Sequence, residues 1–247
     1  MELAEYQNVA NVEDDHWWFR STRRLISEML APWWKPGIRV LDAGCGPGGN
    51  GARLLRYGTV VGLDFEYAAV EFVRDRRAPM GPVQGSVTAL PFPDNSFDVI
   101  IDVTVLYHVP DDALAAREIG RVLKPGGAVF AVEPALELFR RAHDAQGHTA
   151  RRYSLDRLAQ IFRDGGLTIE RATYAKSFLA APAFALGLLQ RAQRTAAEDA
   201  RSDLAPRPTD WITDPVFDRL ASAEDRRILA GGSMPFGTSA IVVGVKD

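Results

Sequence analysis

The chain has 247 residues, enough for one large α/β domain or for a core with an appendage. Apolar residues make up 47%, charged residues 25%, and the formal net charge is −3, so bulk electrostatics give nucleic acid no reason to bind. A lone cysteine, Cys45, excludes an internal disulfide framework, and the opening MELAEYQNVANVEDDHW lacks the basic and apolar regions of a signal peptide; a cytoplasmic location is expected.

In chain order, residues 1–36 are aromatic-rich and expected to be helical, with Trp17, Trp18, Phe19, Trp33 and Trp34. Pro36-Gly37 breaks this segment. Residues 38–43 form a short apolar run that ends in glycines, which reads as a buried strand. A helix over 49–57, a strand over 59–64, a helix over 66–77 and strands over 82–86 and 97–105 follow. Residues 111–123 are amphipathic, with Asp111 or Asp112 as cap and Pro125-Gly126-Gly127 as stop. A fifth strand is expected over 128–132. Ser154 then opens a helix closed by Gly165-Gly166, and strands over 167–175 and 238–245 complete the pattern. Strands and helices alternate through residue 175, which implies a mostly parallel sheet covered on both faces. About 60 residues separate the last two strands, too many for a simple loop, and a helical cap is expected there. Its apolar stretch, residues 178–189, is too short for the roughly 20 residues of a membrane span, so no transmembrane segment is expected.

The stretch VLDAGCGPGGN, residues 40–50, raises the chemical question. Glycines between a strand and a helix let a ligand approach the backbone closely. Gly-Lys-Ser/Thr, which a phosphate-binding loop needs, is absent. Gly44, Gly46 and Gly49 match the dinucleotide spacing, and Asp64 at the next strand end points at ribose hydroxyls, so these two features alone leave an NAD(P)-dependent oxidoreductase open.

A larger set carries a resemblance. Asp42-x-Gly44-x-Gly46-x-Gly48, Gly62-Leu-Asp64, LPFPDNSFDVI, VLYHVPDD and RVLKPGG, in this order, resemble class I S-adenosylmethionine-dependent methyltransferases over roughly residues 38–134. HWWFRSTRRLI and GSMPFGTSAIVV at the two ends resemble a bacterial subgroup acting on small-molecule or glycan-related acceptors. The resemblance implies a Rossmann-like, seven-stranded, mostly parallel sheet with an antiparallel last strand. It divides the chain into an N-terminal helical lid (1–36), a cofactor-binding core (37–175), a helical insertion (176–236) and a last core strand (237–247).

The same resemblance implies that S-adenosylmethionine is the cofactor, S-adenosylhomocysteine the product and a small molecule the acceptor. Asp42, Gly44, Cys45, Gly46 and Gly48 would line the methionine end through backbone groups. Asp64 would hold the ribose and Phe65 the adenine face, with Ser86 and Val87 at the adenine edge. Asp102 and Val103 would border the sulfonium end. Ser86 stands where the family often has aspartate, and Tyr107 where it often has glutamate. Trp18 and Arg20 are expected in the lid, as an aromatic surface and a partner for the cofactor carboxylate.

For the acceptor, His108 is the base candidate, since imidazole titrates near neutrality and follows the fourth strand. Tyr107 could orient the acceptor or simply pack. Asp102 is either a polar group toward the cofactor or a capping partner. Glu133 binds acceptor or, as the favoured reading, faces solvent. His143 and His148 lack a third ligand and form no metal site. Residues 178–194 are read as an acceptor lid or a homodimer face. A member that binds the cofactor without transferring a methyl group remains the other alternative.

Overall fold

The computed structural model describes residues 3–76, 79–140, 151–192 and 210–247. Seven strands form one sheet: β1 (Ile38–Ala43), β2 (Gly58–Asp64), β3 (Gly81–Gln84), β4 (Phe97–Val103), β5 (Leu123–Pro134), β6 (Thr168–Ala175) and β7 (Ser239–Val245). Their spatial order is β3-β2-β1-β4-β5-β7-β6. β1 to β5 run parallel, and β7 lies antiparallel between β5 and β6. An all-parallel doubly wound sheet places no such reversed strand in its interior.

The strands read as continuous apolar runs because both faces are buried. On one face Leu41, Leu63, Ile100 and Val129 pack against α5 (Asp112–Val122) and α6 (Leu155–Asp164), through Ala116, Ile119, Leu158 and Phe162. On the other, Val40, Val60, Ile101 and Phe130 meet α2 (Trp17–Met29), α3 (Gly49–Leu54) and α4 (Tyr67–Asp75), through Leu25, Ile26, Leu54 and Val73. The two capping signals operate as read: Asp111 accepts the Leu114 N–H at 2.8 Å, and Ser154 accepts the Arg157 N–H at 3.2 Å. The fifth strand starts earlier than expected, at Leu123. Helix α5 ends at Val122, and the Pro125-Gly126-Gly127 turn lies within the strand span, with the Gly126 N–H donating to the Lys246 carbonyl at 2.7 Å.

Before the core come α1 (Leu3–Val12) and α2; between β6 and β7 lie α7 (Ala180–Ala192) and α8 (Asp210–Leu229). The two ends of the chain meet. Trp17 sits 5.7 Å from Phe178 and 5.4 Å from Phe217, ring centre to ring centre, which locks α2 against α8. Below these rings lies a buried ionic group. Asp225 accepts from the Ser21 hydroxyl at 2.8 Å and from Arg24 at 2.9 Å, and the Lys176 ammonium, also bonded to Ser21, stands 3.8 Å away. Burial pulls the Lys176 pKa down. No helix among the described residues is long and apolar enough to cross a membrane.

Candidate functional site

The carboxyl ends of β1, β2, β4 and β5 converge on the glycine-rich turn, the position where open α/β sheets bind ligands. Gly44, Gly46 and Gly48 all have positive φ, at 79°, 51° and 90°. Two of them answer different demands. A Cβ on Gly44 would lie 2.2 Å from a Val105 methyl, so the turn packs against the loop after β4. A Cβ on Gly46 would meet nothing within 4 Å, so this part of the turn faces open space. Cys45 is buried, and burial beside Asp42 and Asp64 pushes its thiol up, so it packs as a small apolar residue and is no nucleophile.

Asp42 is buried inside the turn. Its carboxylate accepts the Gly51 N–H at 2.9 Å and so ties β1 to α3; burial pushes its pKa up to about 7. Asp64 gathers three donors: the Gly46 N–H at 2.9 Å, the Glu66 N–H at 3.1 Å and the Tyr6 hydroxyl at 2.9 Å. Next to it Phe65 is 70% exposed, an apolar ring presented to solvent beside an acid and an open backbone turn. The open edge at Gly46, the Asp64 carboxylate and the bare Phe65 face fit a ligand that carries a polar chain, a ribose and a flat base. Ser86 is half-buried, its hydroxyl turned to Thr88 at 2.7 Å, and Val87 is buried beside it.

Three participants were not legible in the motifs. Tyr6 comes from α1, 58 residues before its partner Asp64. Glu13, at the corner after α1, is buried, accepts the Gly49 N–H at 3.0 Å and pairs with Arg76. Arg76 in turn donates to the Pro47 carbonyl at 2.6 Å and to Asp14 at 3.2 Å, so one guanidinium straps the α1–α2 corner to the glycine-rich turn. Desolvation pushes the Glu13 carboxyl up, against the pull of Arg76 and Gly49. A sequence offers no local signal for such pairings; only the chain path brings them together.

Of the two lid residues, Arg20 turns away from the position expected of it. Arg20 donates to Asp218 of α8 at 3.2 Å and to the Asp15 carbonyl, so its guanidinium serves the α2–α8 contact and does not point into the turn. Trp18 packs edge-on to Phe19 at 5.0 Å against the face of the core that holds Val40 and Ile101.

On the acceptor side, β4 ends at Val103, which is buried, and the chain turns through Thr104 into a single helical turn over Leu106–His108. The rings of Tyr107 and His108 touch in this turn, with centres 3.8 Å apart and planes tilted by 37°. The expectation that Glu133 faces solvent is wrong. It is fully buried, and its carboxylate accepts the N–H groups of Val105, Leu106 and Tyr107 at 3.0, 2.9 and 3.1 Å. Asp102 is 1% exposed and lies beside Glu133, so it caps nothing at the surface. Beneath the turn the buried Tyr153 hydroxyl lies 3.1 Å from Asp112 and 3.2 Å from the Leu106 carbonyl. His143 and His148 lie outside the described residues.

The topology and the glycine-rich turn define a Rossmann-like cofactor domain. Residues 41–131 match the family model described as a methyltransferase domain. Over 173 residues the chain is 31% identical to a "probable S-adenosylmethionine-dependent methyltransferase" of Mycolicibacterium smegmatis, covering 68% of this chain and 66% of that protein. It is 33% identical over 146 residues to a demethylmenaquinone methyltransferase of Staphylococcus aureus, covering 55% and 58%. The chain thus spans just under two thirds of the first relative and less of the second. Among solved structures, an S-adenosylmethionine-dependent methyltransferase of Mesorhizobium loti aligns with a TM-score of 0.58 at 16% identity, over 88% of this chain and 96% of that one. The [4+2]-cyclase SpnF aligns with a TM-score of 0.56 at 22% identity, over 90% and 80%. Residues 41–131 are thus matched as a methyltransferase domain, and its relatives point to S-adenosylmethionine as the cofactor.

Proposed function

We propose that this protein transfers the methyl group of S-adenosylmethionine to an oxygen or nitrogen atom of a small-molecule acceptor. The observation that carries the reading is the juxtaposition of Gly46, open on its ligand side, with Asp64 and the exposed Phe65 at the carboxyl end of the sheet. Gly44 to Gly48 would hold the amino-acid end of the cofactor by main-chain groups, Asp64 the ribose hydroxyls and Phe65 the base. Once bound, the cofactor supplies an electrophilic methyl on a sulfonium. The protein has to hold the acceptor atom roughly 3 Å behind that methyl and to exclude water.

The turn that carries Tyr107 and His108 adjoins the glycine-rich turn through the Val105–Gly44 contact, so it is the surface on which an acceptor would rest. His108 can take the proton released by a hydroxyl acceptor; an amine presented neutral needs no base. Tyr107 lies against His108 and would help to orient it. Residues 180–192 and 210–229 would cap this side, and a homodimer face on α7 is the other use of its exposed Phe184, Leu186 and Leu189.

Asp64 gives the reading a feature of its own. One of its carboxylate oxygens already takes both Tyr6 and the Glu66 N–H. Ribose hydroxyls therefore compete with Tyr6 for that oxygen, and the other oxygen has one acceptor position left beside the Gly46 N–H. The test is incubation with methyl-labelled S-adenosylmethionine and a panel of small alcohols, phenols, carboxylates and amines. Label appearing on a hydroxyl or amine supports the reading. Tight binding of cofactor without transfer to any acceptor favours a cofactor-binding protein of other chemistry.

A further inference from the structure

Strands β4 and β5 deliver two acids to one buried place. In the parallel register Val103 pairs with Val132, so Asp102 and Glu133 stand at neighbouring strand ends on the same face. Glu133 has its oxygens filled by three main-chain N–H groups. Asp102 is equally buried, and among the described residues neither of its oxygens has a full hydrogen bond; the Val105 N–H lies close enough to favour its charged form, but it is already bonded to Glu133. A buried carboxylate without a donor is costly, and a second carboxylate beside it adds repulsion. One proton resolves both costs: a protonated Asp102 can donate to Glu133, within whose hydrogen-bonding reach it lies.

The residue between this pair and the turn is itself strained. Thr104 has φ 58°, in the left-handed region that a β-branched side chain disfavours. Such a conformation persists only where its surroundings over-determine it. Strand β5 fixes Thr104 from one side, the Thr104 N–H donating to the Val132 carbonyl at 2.8 Å. From the other side the fixing group is the Glu133 carboxylate, which grips the next three residues.

We propose that Asp102 is kept as a neutral carboxylic acid whose O–H donates to Glu133, and that this acid–carboxylate pair positions the turn bearing Tyr107 and His108. Asp102 and Glu133 are positioning residues, because neither reaches the acceptor itself. The role of this turn in holding an acceptor rests on the function proposed above; the shared proton and its grip on residues 105–107 do not. Burial and the neighbouring carboxylate both favour the proton on Asp102, and Asp42 of β1 acts in the same direction. The other groups around the pair are the Tyr153 hydroxyl and Asp112 of α5, and Asp112 is neutralised by Arg151 at 2.9 Å and Arg157 at 3.1 Å. His108 is the titratable group of the turn itself.

Infrared difference spectroscopy with isotope-labelled aspartate tests the proton directly. With Asp42, the other aspartate pushed up to about 7, replaced by Asn, the full chain at neutral pH should show the carbonyl stretch of a protonated aspartic acid, and adding Asp102→Asn should remove it. Amide exchange of residues 105–107 tests the grip. Asp102→Asn keeps a donor toward Glu133 and should leave these amides protected at every pH. The native chain should lose protection as alkaline pH removes the shared proton. Glu133→Gln turns an amide donor toward N–H groups and should raise exchange at least roughly tenfold. The proposal fails if the Asp42→Asn chain lacks the acid band, or if Asp102→Asn loosens the turn as much as Glu133→Gln. Should Asp102→Asn not fold, the labelled spectrum of Asp42→Asn and its pH dependence still decide. Calorimetry with S-adenosylhomocysteine on the native chain separates the two readings: a native chain that binds no cofactor, with the band present in Asp42→Asn, sinks the function and leaves the pair.

Discussion

Asp64 and Asp102 occupy comparable positions, each at the carboxyl end of a parallel strand beside the same glycine-rich turn. Their surroundings are opposite. Three donors converge on Asp64, and its neighbour Phe65 is open to solvent. Among the described residues Asp102 has no full hydrogen bond, the nearby Val105 N–H being taken by Glu133, and its neighbour is a second acid. On the proposals above, one strand end would receive hydroxyl groups of a ligand and the other would hold a piece of the protein in place. The chemistry of a strand end depends on what the loops bring to it, and the residue type alone does not decide it.

The two ends are joined at Gly44, and breaking that joint should have the largest effect. Gly44→Ala puts a methyl 2.2 Å from Val105 at a φ of +79°. Crowding and left-handed strain together should cost about 2–5 kcal/mol of stability, read as a fall in the denaturant midpoint. An unchanged midpoint would mean that the two turns are not in contact. Next comes Asp64→Ala, which should weaken S-adenosylhomocysteine binding by about 1–3 kcal/mol through loss of a charge-assisted bond. Isothermal titration checks it, and unchanged affinity removes Asp64 from the site.

Tyr6→Phe sharpens the comparison in the other direction. It frees the oxygen of Asp64 that a ribose needs, so affinity for the same ligand should rise by about 0.5–1.5 kcal/mol. Weaker binding would instead make the Tyr6 hydroxyl part of the cofactor site. Smallest is Arg20→Ala. The Arg20–Asp218 pair is partly exposed, so stability should fall by less than about 1 kcal/mol and cofactor affinity should hold. A large loss of affinity would return Arg20 to the cofactor site.

How far the sequence discloses this site follows from the range of each interaction. The glycine-rich turn, Asp64 and the caps at Asp111 and Ser154 are local patterns, and each is where the sequence places it. The antiparallel last strand came from resemblance, since a hydrophobic run carries no direction. Glu133 was misread because a charged residue at a strand end ordinarily faces water; its three N–H partners lie 26 to 28 residues earlier and leave no trace in its neighbourhood. Tyr6 was missed for the same reason. The HWWFR segment was legible as important but not in its use. Trp17 and Arg20 find Phe217 and Asp218 some 200 positions later, which no local pattern can show.

The central claim is that the bare turn and Asp64 receive an adenosyl ligand, and calorimetric titration of the folded full chain with S-adenosylhomocysteine tests it most directly. The account predicts saturable heat at one site per chain, displaced by S-adenosylmethionine and not by NAD. A folded chain that gives no heat with either adenosyl compound would contradict it.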